Sequence, residues 1–129
     1  MLFGGKYLRA QPAALIKNFT AENAALPHGT GSDRILGKHD LALFDTGGSL
    51  HGYSSDVTRT LALSDSAISP RHLEIWFLVS AAQSAAIKTA RIGAVTSSVD
   101  AVARNLIGAG GNGAYFTHRL GHGELDFVD

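Results

Sequence analysis

The chain contains no cysteine and only three prolines among its 129 residues. Without cysteine it can form neither a disulfide framework nor a thiolate metal site, which fits a reducing compartment. The sequence leaves the compartment open, with the cytoplasm favoured. No apolar run approaches the roughly 18 residues of a membrane-spanning helix. The N-terminus also lacks a compact apolar segment before a small-residue cleavage site. The sequence therefore predicts no membrane partner.

The chain also has no excess of charge of either sign, because 11 basic residues balance 11 acidic residues and the formal net charge is zero. A nucleic-acid-binding domain usually carries an excess of positive charge, so we expect no nucleic-acid partner. Hydrophobic residues make up 45% of the chain. A chain of this length and composition can form the core of one globular domain.

The middle of the chain predicts two strands. The apolar run 41–44 is typical of a buried strand, which we expect to end at Asp45. Residues 53–63 alternate between two faces, with Asp56 on the face that carries smaller and more polar side chains and Arg59 on the other. A buried carboxylate on that face needs water or a metal ion to compensate its charge.

Two helices are predicted after the strands. Ser69 and Pro70 form a strong helix start, and helical spacing of apolar residues predicts a helix to about Arg91 with a buried face that includes Trp76. A second helix begins at Ser97 or Ser98. Its expected apolar side is formed by Val99, Val102, Ala103, Leu106 and Ile107. The glycine-rich run 108–113 follows this helix rather than a strand, so it does not predict a phosphate-binding loop.

Two aspartates lie in one apparent β-hairpin. If the turn falls between Leu50 and His51, Asp45 and Asp56 face each other across an antiparallel ladder. Directly opposed Cβ atoms lie about 4.5–5.5 Å apart, close enough for both carboxylates to contact a pair of metal ions about 3.5–4 Å apart. The alternative on spacing alone is two solvated aspartates in a hairpin rich in glycine and serine.

Histidine motifs flank this hairpin in a distinctive order. Pro27-His28-Gly29 precedes it, Asp-x-Gly at 45–47 and Asp-Val-Thr-Arg-Thr at 56–60 form it, and His-x-x-Gly-His-Gly at 118–123 follows. This order, which covers about residues 22–123, resembles the pita-bread metallopeptidases of family M24, and most closely the aminopeptidase P and prolidase branch. The resemblance implies an α+β chain with a partial pita-bread fold: an antiparallel hairpin, two helices and the start of a second strand set.

The resemblance also implies a role for five residues. Asp45, Asp56 and His122 would be metal ligands, and His28 and His118 would contact the substrate and stabilise charge during hydrolysis. Carboxylates with one imidazole suit Mn, Zn or Co. The alternative for His28 and His118 is an ordinary surface position. The remaining histidines match no position of the family and are expected to face solvent: His39, His51 and His72.

The sequence departs from the family at its ends. The family's centre of two Mn(II) ions, or Zn or Co, includes two glutamates beyond the Gly-His-Gly motif, whereas this chain ends six residues after Gly123, and Glu124 does not match a ligand. We therefore expect residues 1–21 to be an atypical extension and 22–129 to be part of a catalytic domain. Possible splice borders in the codons near residues 5–7, 20–21 and 123–124 predict a gene-model fragment. At most one weakly bound ion is expected.

The sequence thus predicts a metallopeptidase domain that cleaves the bond before proline, acts on peptides with proline at the second position, and is inactive as this chain alone. Two alternatives are a non-catalytic pita-bread module that binds proteins and a self-associating fragment. The second alternative predicts a homodimer or aggregates, because missing strands would leave an unpaired sheet edge.

Overall fold

The structure is a computed structural model that describes the backbone of residues 15–20 and the whole of residues 35–51 and 53–121. The chain forms two compact units: within the described residues, the part up to Ile68 contains a β-sheet, and residues 69–121 contain two helices. Neither helix in the described part of the chain is both long and apolar enough to cross a membrane.

The first unit contains a three-stranded antiparallel sheet. Strands β1 (Leu15–Thr20), β2 (Ala42–Leu50) and β3 (Tyr53–Leu61) pair in the order β1-β2-β3, so β2 is the central strand. The sequence predicted the β2–β3 hairpin but not β1, which lies within the expected extension 1–21. Strand β2 is also longer than predicted, since it continues past Asp45 to Leu50.

The predicted register of the hairpin is wrong by two residues. Asp45 pairs with Thr58, and Asp56 pairs with Gly47. The ladder runs to the pair Leu50–Tyr53, which leaves residues 51 and 52 as the connection. Two-residue hairpin loops favour positive φ at their first central position. His51 adopts φ 52°, a conformation that histidine tolerates better than a bulky apolar residue such as Leu50.

The second unit contains helix α1 (Pro70–Thr89) and helix α2 (Thr96–Ala109), followed by a short 3₁₀-helix (Gly113–Tyr115). The predicted start of α1 is confirmed, because the Ser69 side chain accepts a hydrogen bond of 3.2 Å from the His72 backbone N–H. Helix α2 begins within two residues of its predicted start, and the Ser98 hydroxyl donates to the Val95 carbonyl at 2.7 Å.

The core of the helical unit is built mainly from small residues. Partly buried Val99, Phe116 and Leu120 surround this core. The buried residues that pack together between the two helices are Ala82, Ala86, Ala103 and Ile107. Gly110 packs directly against the side chain of Leu78. Small residues at these positions let the two helices approach closely. The contact involves α1 from Leu78 to Ala86.

The predicted burial of Trp76 is wrong. Trp76 is 38% exposed and Phe77 63% exposed, and their rings make an edge-to-face contact with centroids 5.2 Å apart. The buried stripe of α1 instead passes through half-buried Ile75 and Leu78 to the buried alanines. Residues 73–79 are apolar at nearly every position, so periodicity does not select one face there.

Candidate metal centre

Asp45 and Asp56 lie on the same face of the sheet. Because Asp45 pairs with Thr58 and Asp56 pairs with Gly47, these four residues occupy two successive pairs of one face. The aspartates are therefore diagonal rather than directly opposed, at a typical separation of about 7–8 Å, and somewhat less between Cβ atoms. A register shift of two residues preserves the face, so the aspartates stay together although the predicted pairing was wrong.

The Asp45 carboxylate is oriented by its partner across the ladder. The Thr58 hydroxyl donates a hydrogen bond of 2.8 Å to Asp45 Oδ1. Asp45 is half-buried, whereas Asp56 on the edge of the hairpin is exposed. A carboxylate can accept several hydrogen bonds or ligand contacts, so the bond from Thr58 leaves Oδ2 able to coordinate a cation.

Gly47 lies directly opposite Asp56 in the ladder. A Cβ atom at position 47 would lie 2.8 Å from the Ser55 carbonyl oxygen, closer than real Cβ contacts allow. The close approach of the two backbones therefore requires glycine. Glycine also places no side chain beside the two carboxylates on this face.

The chemistry of these donors fits a divalent cation. Carboxylate oxygens coordinate Zn²⁺ at about 2.0–2.2 Å, and each carboxyl group extends beyond its Cβ, so diagonal aspartates can reach one ion between them. Within residues 35–51 and 53–121, no three histidine or acidic side chains form a group able to hold a metal ion. The predicted third ligand, His122, and the predicted substrate contact His28 both lie outside the described residues.

His118 lies in the helical unit, in the segment after the 3₁₀-helix. Its Nδ1 is 2.6 Å from the Arg119 carbonyl oxygen, and because a carbonyl can only accept, this hydrogen bond forms in the tautomer that carries the proton on Nδ1. The exposed imidazole also packs edge-on against Phe116, with ring centroids 5.3 Å apart at 89°. Nε2 takes no part in the contact with the Arg119 carbonyl.

An ion pair on α2 contacts the backbone of this segment. Arg104 and Asp100 form a bidentate pair, at 2.9 Å for Nε to Oδ2 and 3.1 Å for Nη2 to Oδ1. Arg104 also donates to the carbonyls of Phe116, at 2.9 Å, and His118, at 3.1 Å. Asp100 Oδ1 accepts the Leu120 N–H at 3.0 Å. The pair thus makes three hydrogen bonds to the backbone of residues 116–120.

The pair also shifts the proton affinity of its members. The hydrogen bond from Arg104, and then that from the Leu120 N–H, lower the pKa of Asp100 below its ordinary value of 3.8. The hydrogen bond to Asp100 raises the pKa of Arg104 further. Both groups are therefore charged throughout the neutral range.

The sequence did not single out this pair or the roles of Thr58 and Gly47. An aspartate and an arginine four residues apart on a predicted helix are a recognisable signal for an ion pair, but no local pattern shows that the guanidinium reaches Phe116 and His118.

The three histidines expected to face solvent are exposed: His39, His51 and His72. His39 Nδ1 nevertheless lies 2.7 Å from the Ala67 carbonyl oxygen.

Comparison with known proteins agrees with the motifs. The family model for metallopeptidase family M24 matches residues 17–124. An Xaa-Pro dipeptidase from Pyrococcus horikoshii is 39% identical over 100 residues, which cover 78% of this chain and 28% of the dipeptidase.

Solved structures give the same result. A prolidase from Thermococcus sibiricus superposes with a TM-score of 0.78 at 37% identity, over 84% of this chain and 29% of the prolidase. The dipeptidase PepE from Mycobacterium ulcerans gives a TM-score of 0.81 at 34% identity, over 91% of this chain and 32% of that protein. The chain therefore spans about a third or less of the length of these relatives.

These similarities confirm the partial pita-bread fold, with its antiparallel hairpin and two helices. The family model covers most of the chain, including the hairpin with both aspartates and the segment with His118. The chain belongs to metallopeptidase family M24.

Proposed function

We propose that this chain is part of an Xaa-Pro peptidase, a metal-dependent enzyme that hydrolyses the peptide bond before proline. The observation that carries the proposal is the placement of Asp45 and Asp56 on one sheet face, diagonal to each other in two successive pairs of the ladder. The similarity to an Xaa-Pro dipeptidase and a prolidase supports the substrate class.

In this proposal Asp45, Asp56 and His122 hold a divalent cation, and Mn, Zn and Co all suit the donor set. The cation supplies Lewis-acid polarisation of the peptide carbonyl and activation of water. The Thr58 hydroxyl keeps Asp45 in one orientation by its bond to Oδ1. With that oxygen already bonded to Thr58, Oδ2 would be the atom of Asp45 that is available to the cation.

His28 and His118 are proposed to contact the substrate. Because Nδ1 of His118 donates to the Arg119 carbonyl, the imidazole presents Nε2 to the substrate carbonyl. In the cationic form Nε2–H donates a hydrogen bond to the oxygen on which negative charge develops. Donors aimed at such an oxygen before the reaction begins are a major source of rate enhancement.

For the 129-residue chain by itself we expect weak binding of a single ion and no turnover. The two further glutamates of the two-metal centre are implied by the resemblance and do not match any residue here. Two carboxylates and one imidazole supply enough donors to hold one ion but not to bridge two.

Titration of the purified chain with Mn²⁺, followed by the loss of the free-ion EPR signal, tests the metal site. The wild type should bind about one ion, and Asp56→Asn should weaken binding at least about tenfold, because it removes one of the few charged donors. Asp65→Asn is the matched control, since it removes a carboxylate from an exposed turn of the same unit. Equal binding by all three proteins, or none by the wild type, would contradict the proposal.

Hydrolysis of a dipeptide with proline at its second position tests the activity separately. Turnover that Asp56→Asn abolishes would support the peptidase function and overturn the expected inactivity of this chain. If the chain binds metal without turnover, both the proposed site and the expected inactivity are supported.

A second candidate function is self-association or protein binding. Large apolar side chains are exposed in both units, including Tyr53 at 71% and Phe77 at 63%. Surfaces of this kind mark contact sites or aggregation-prone regions when they are contiguous. Sedimentation velocity over a range of concentrations distinguishes the candidates: a homodimer or larger species favours association, and a monomer at all concentrations argues against it.

A further inference from the structure

We infer that Asp100 and Arg104 are positioning residues for His118, fixing its imidazole through the backbone of residues 116–120 and through the ring of Phe116. The functional importance of this pair rests on the proposed role of His118 in substrate binding. Neither residue is expected to contact substrate or metal, so each acts through another group.

The hydrogen bonds from Asp100 and Arg104 to the backbone involve residues before and after His118 in the sequence. Arg104 donates to the carbonyl of Phe116, two residues before His118, and to the carbonyl of His118 itself. Asp100 accepts the N–H of Leu120, two residues after it. Three hydrogen bonds to five consecutive residues fix the path of a segment that has no helix or strand of its own between 116 and 120.

The side-chain contacts reach the imidazole directly. The Arg104 guanidinium carbon lies 4.5 Å from the centroid of the Phe116 ring, a cation–π distance. The same ring contacts the His118 imidazole edge-on. Arg104 therefore holds the ring against which His118 packs, while the bidentate pair with Asp100 fixes the guanidinium itself.

The bond from His118 Nδ1 to the Arg119 carbonyl is what this arrangement preserves. A neutral histidine in water exchanges its proton between Nδ1 and Nε2, whereas the contact of 2.6 Å with the Arg119 carbonyl oxygen favours the tautomer of His118 with the proton on Nδ1. If the segment loses its path, the imidazole and that carbonyl lose their relative placement. The tautomer of His118 therefore reports on the pair without any measurement of activity.

The test is a long-range ¹H–¹⁵N NMR spectrum of the histidine rings in the uniformly labelled 129-residue chain at a pH where histidine is neutral, with His118→Gln to assign the signals. The wild type should show the Nδ1–H pattern for His118. Arg104→Gln removes all of the guanidinium contacts and should shift His118 towards the mixed pattern of a solvated histidine. The Leu120 amide should also exchange its hydrogen several-fold faster.

Arg71→Gln is the matched control. Arg71 is the centre of another polar network of the same unit, where it donates to Asn112 Oδ1 at 3.0 Å and to Glu74 Oε2 at 3.3 Å. Asn112 is buried, so this variant also removes an arginine that joins distant parts of the unit. It should leave the His118 signals unchanged, which separates positioning of His118 from a general loss of stability.

Arg104→Lys and Phe116→Leu keep the inference testable if Arg104→Gln does not fold. Lysine retains the charge but lacks the planar guanidinium that donates to Asp100 and to two carbonyls together. In this variant His118 should therefore also lose the Nδ1–H pattern. Phe116→Leu removes the ring and leaves the backbone bonds, so it should shift His118 less than either arginine variant.

The inference is overturned if a folded Arg104 variant keeps the wild-type tautomer of His118, or if Arg71→Gln changes it to the same extent. Failure of the chain to bind Mn²⁺ or to hydrolyse a peptide would instead count against the proposed function, and it would leave this NMR result unaltered. The two failures are therefore distinguishable.

Discussion

The Thr58 hydroxyl donates a hydrogen bond of 2.8 Å to Asp45 Oδ1 from the position directly opposite Asp45 in the β2–β3 ladder. The threonine therefore orients a proposed metal ligand through a single hydroxyl group. The contribution of the Thr58 hydroxyl can be separated from that of the Thr58 methyl group by substitutions that keep one of these groups and remove the other.

We predict that Thr58→Val weakens binding of Mn²⁺ by about tenfold, the lower end of the effect usual for a group that orients a ligand. Valine keeps the shape of the side chain and its preference for strands but cannot donate to Asp45. Thr58→Ser keeps the hydroxyl and should bind like the wild type. Calorimetric titration of all three proteins measures the effect, and equal affinities for the valine and serine variants would contradict it.

Two glycines should respond to alanine in opposite directions. Gly47→Ala places a Cβ 2.8 Å from the Ser55 carbonyl oxygen, so it should lower the free energy of unfolding by about 1–3 kcal/mol. Gly108→Ala places a Cβ in open space within helix α2, so it should raise that free energy by about 0.5–1 kcal/mol.

Urea unfolding followed by circular dichroism measures both changes. Each glycine variant is the control for the other, because the same methyl group is added to the same chain. A tolerated Gly47→Ala would show that the strands can separate at this point, and it would remove the steric reason for glycine there.

Removal of the cap of helix α1 should destabilise the helical unit. Ser69→Ala deletes the side-chain oxygen that accepts the His72 N–H, which typically costs about 1 kcal/mol. Ser69→Asp can still accept this bond and should retain wild-type stability. Thermal unfolding of the three proteins checks the prediction, and a Ser69→Ala variant as stable as the aspartate variant would show that the cap contributes nothing.

The ion pair on α2 should contribute to stability in a pH-dependent manner. Because the native pKa of Asp100 lies below its ordinary value of 3.8, the unfolded chain binds this proton first as the pH falls. The contribution is therefore fully present above pH 3.8 and is lost as the pH falls through the native pKa.

Asp100→Asn should accordingly reduce the free energy of unfolding at neutral pH. Below about pH 4, this free energy should fall less steeply with decreasing pH than it does in the wild type. Urea unfolding at a series of pH values compares this variant with the wild type. A parallel decline for wild type and Asp100→Asn would mean that the pair does not link folding to protonation.

Local chemistry made part of the structure predictable. The start of α1 depends on Ser69 and Pro70, which are adjacent in sequence, and the face shared by Asp45 and Asp56 depends only on strand alternation, which a shift of two residues does not change. The motifs also indicated the family, because glycines, aspartates and histidines at fixed spacings are required by the same backbone and the same chemistry.

Features that depend on distant contacts were not predictable in the same way. The register depends on the conformation of the loop at His51, and β1 is a strand because it pairs with β2, more than 20 positions later in the chain. The buried side of α1 depends on where α2 packs, which the nearly continuous apolar run around Trp76 does not indicate. The contact of Arg104 with the carbonyl of His118 spans 14 residues and has no local sequence signal.

The central place of β2 in the sheet has a kinetic consequence. Asp45 lies on a strand that is hydrogen-bonded on both sides, whereas Asp56 lies on β3, which within the described residues pairs only with β2. Separation of β3 from β2 would carry Asp56 away and leave Asp45 in place. A cation shared by the two carboxylates would therefore link the strands and slow their separation.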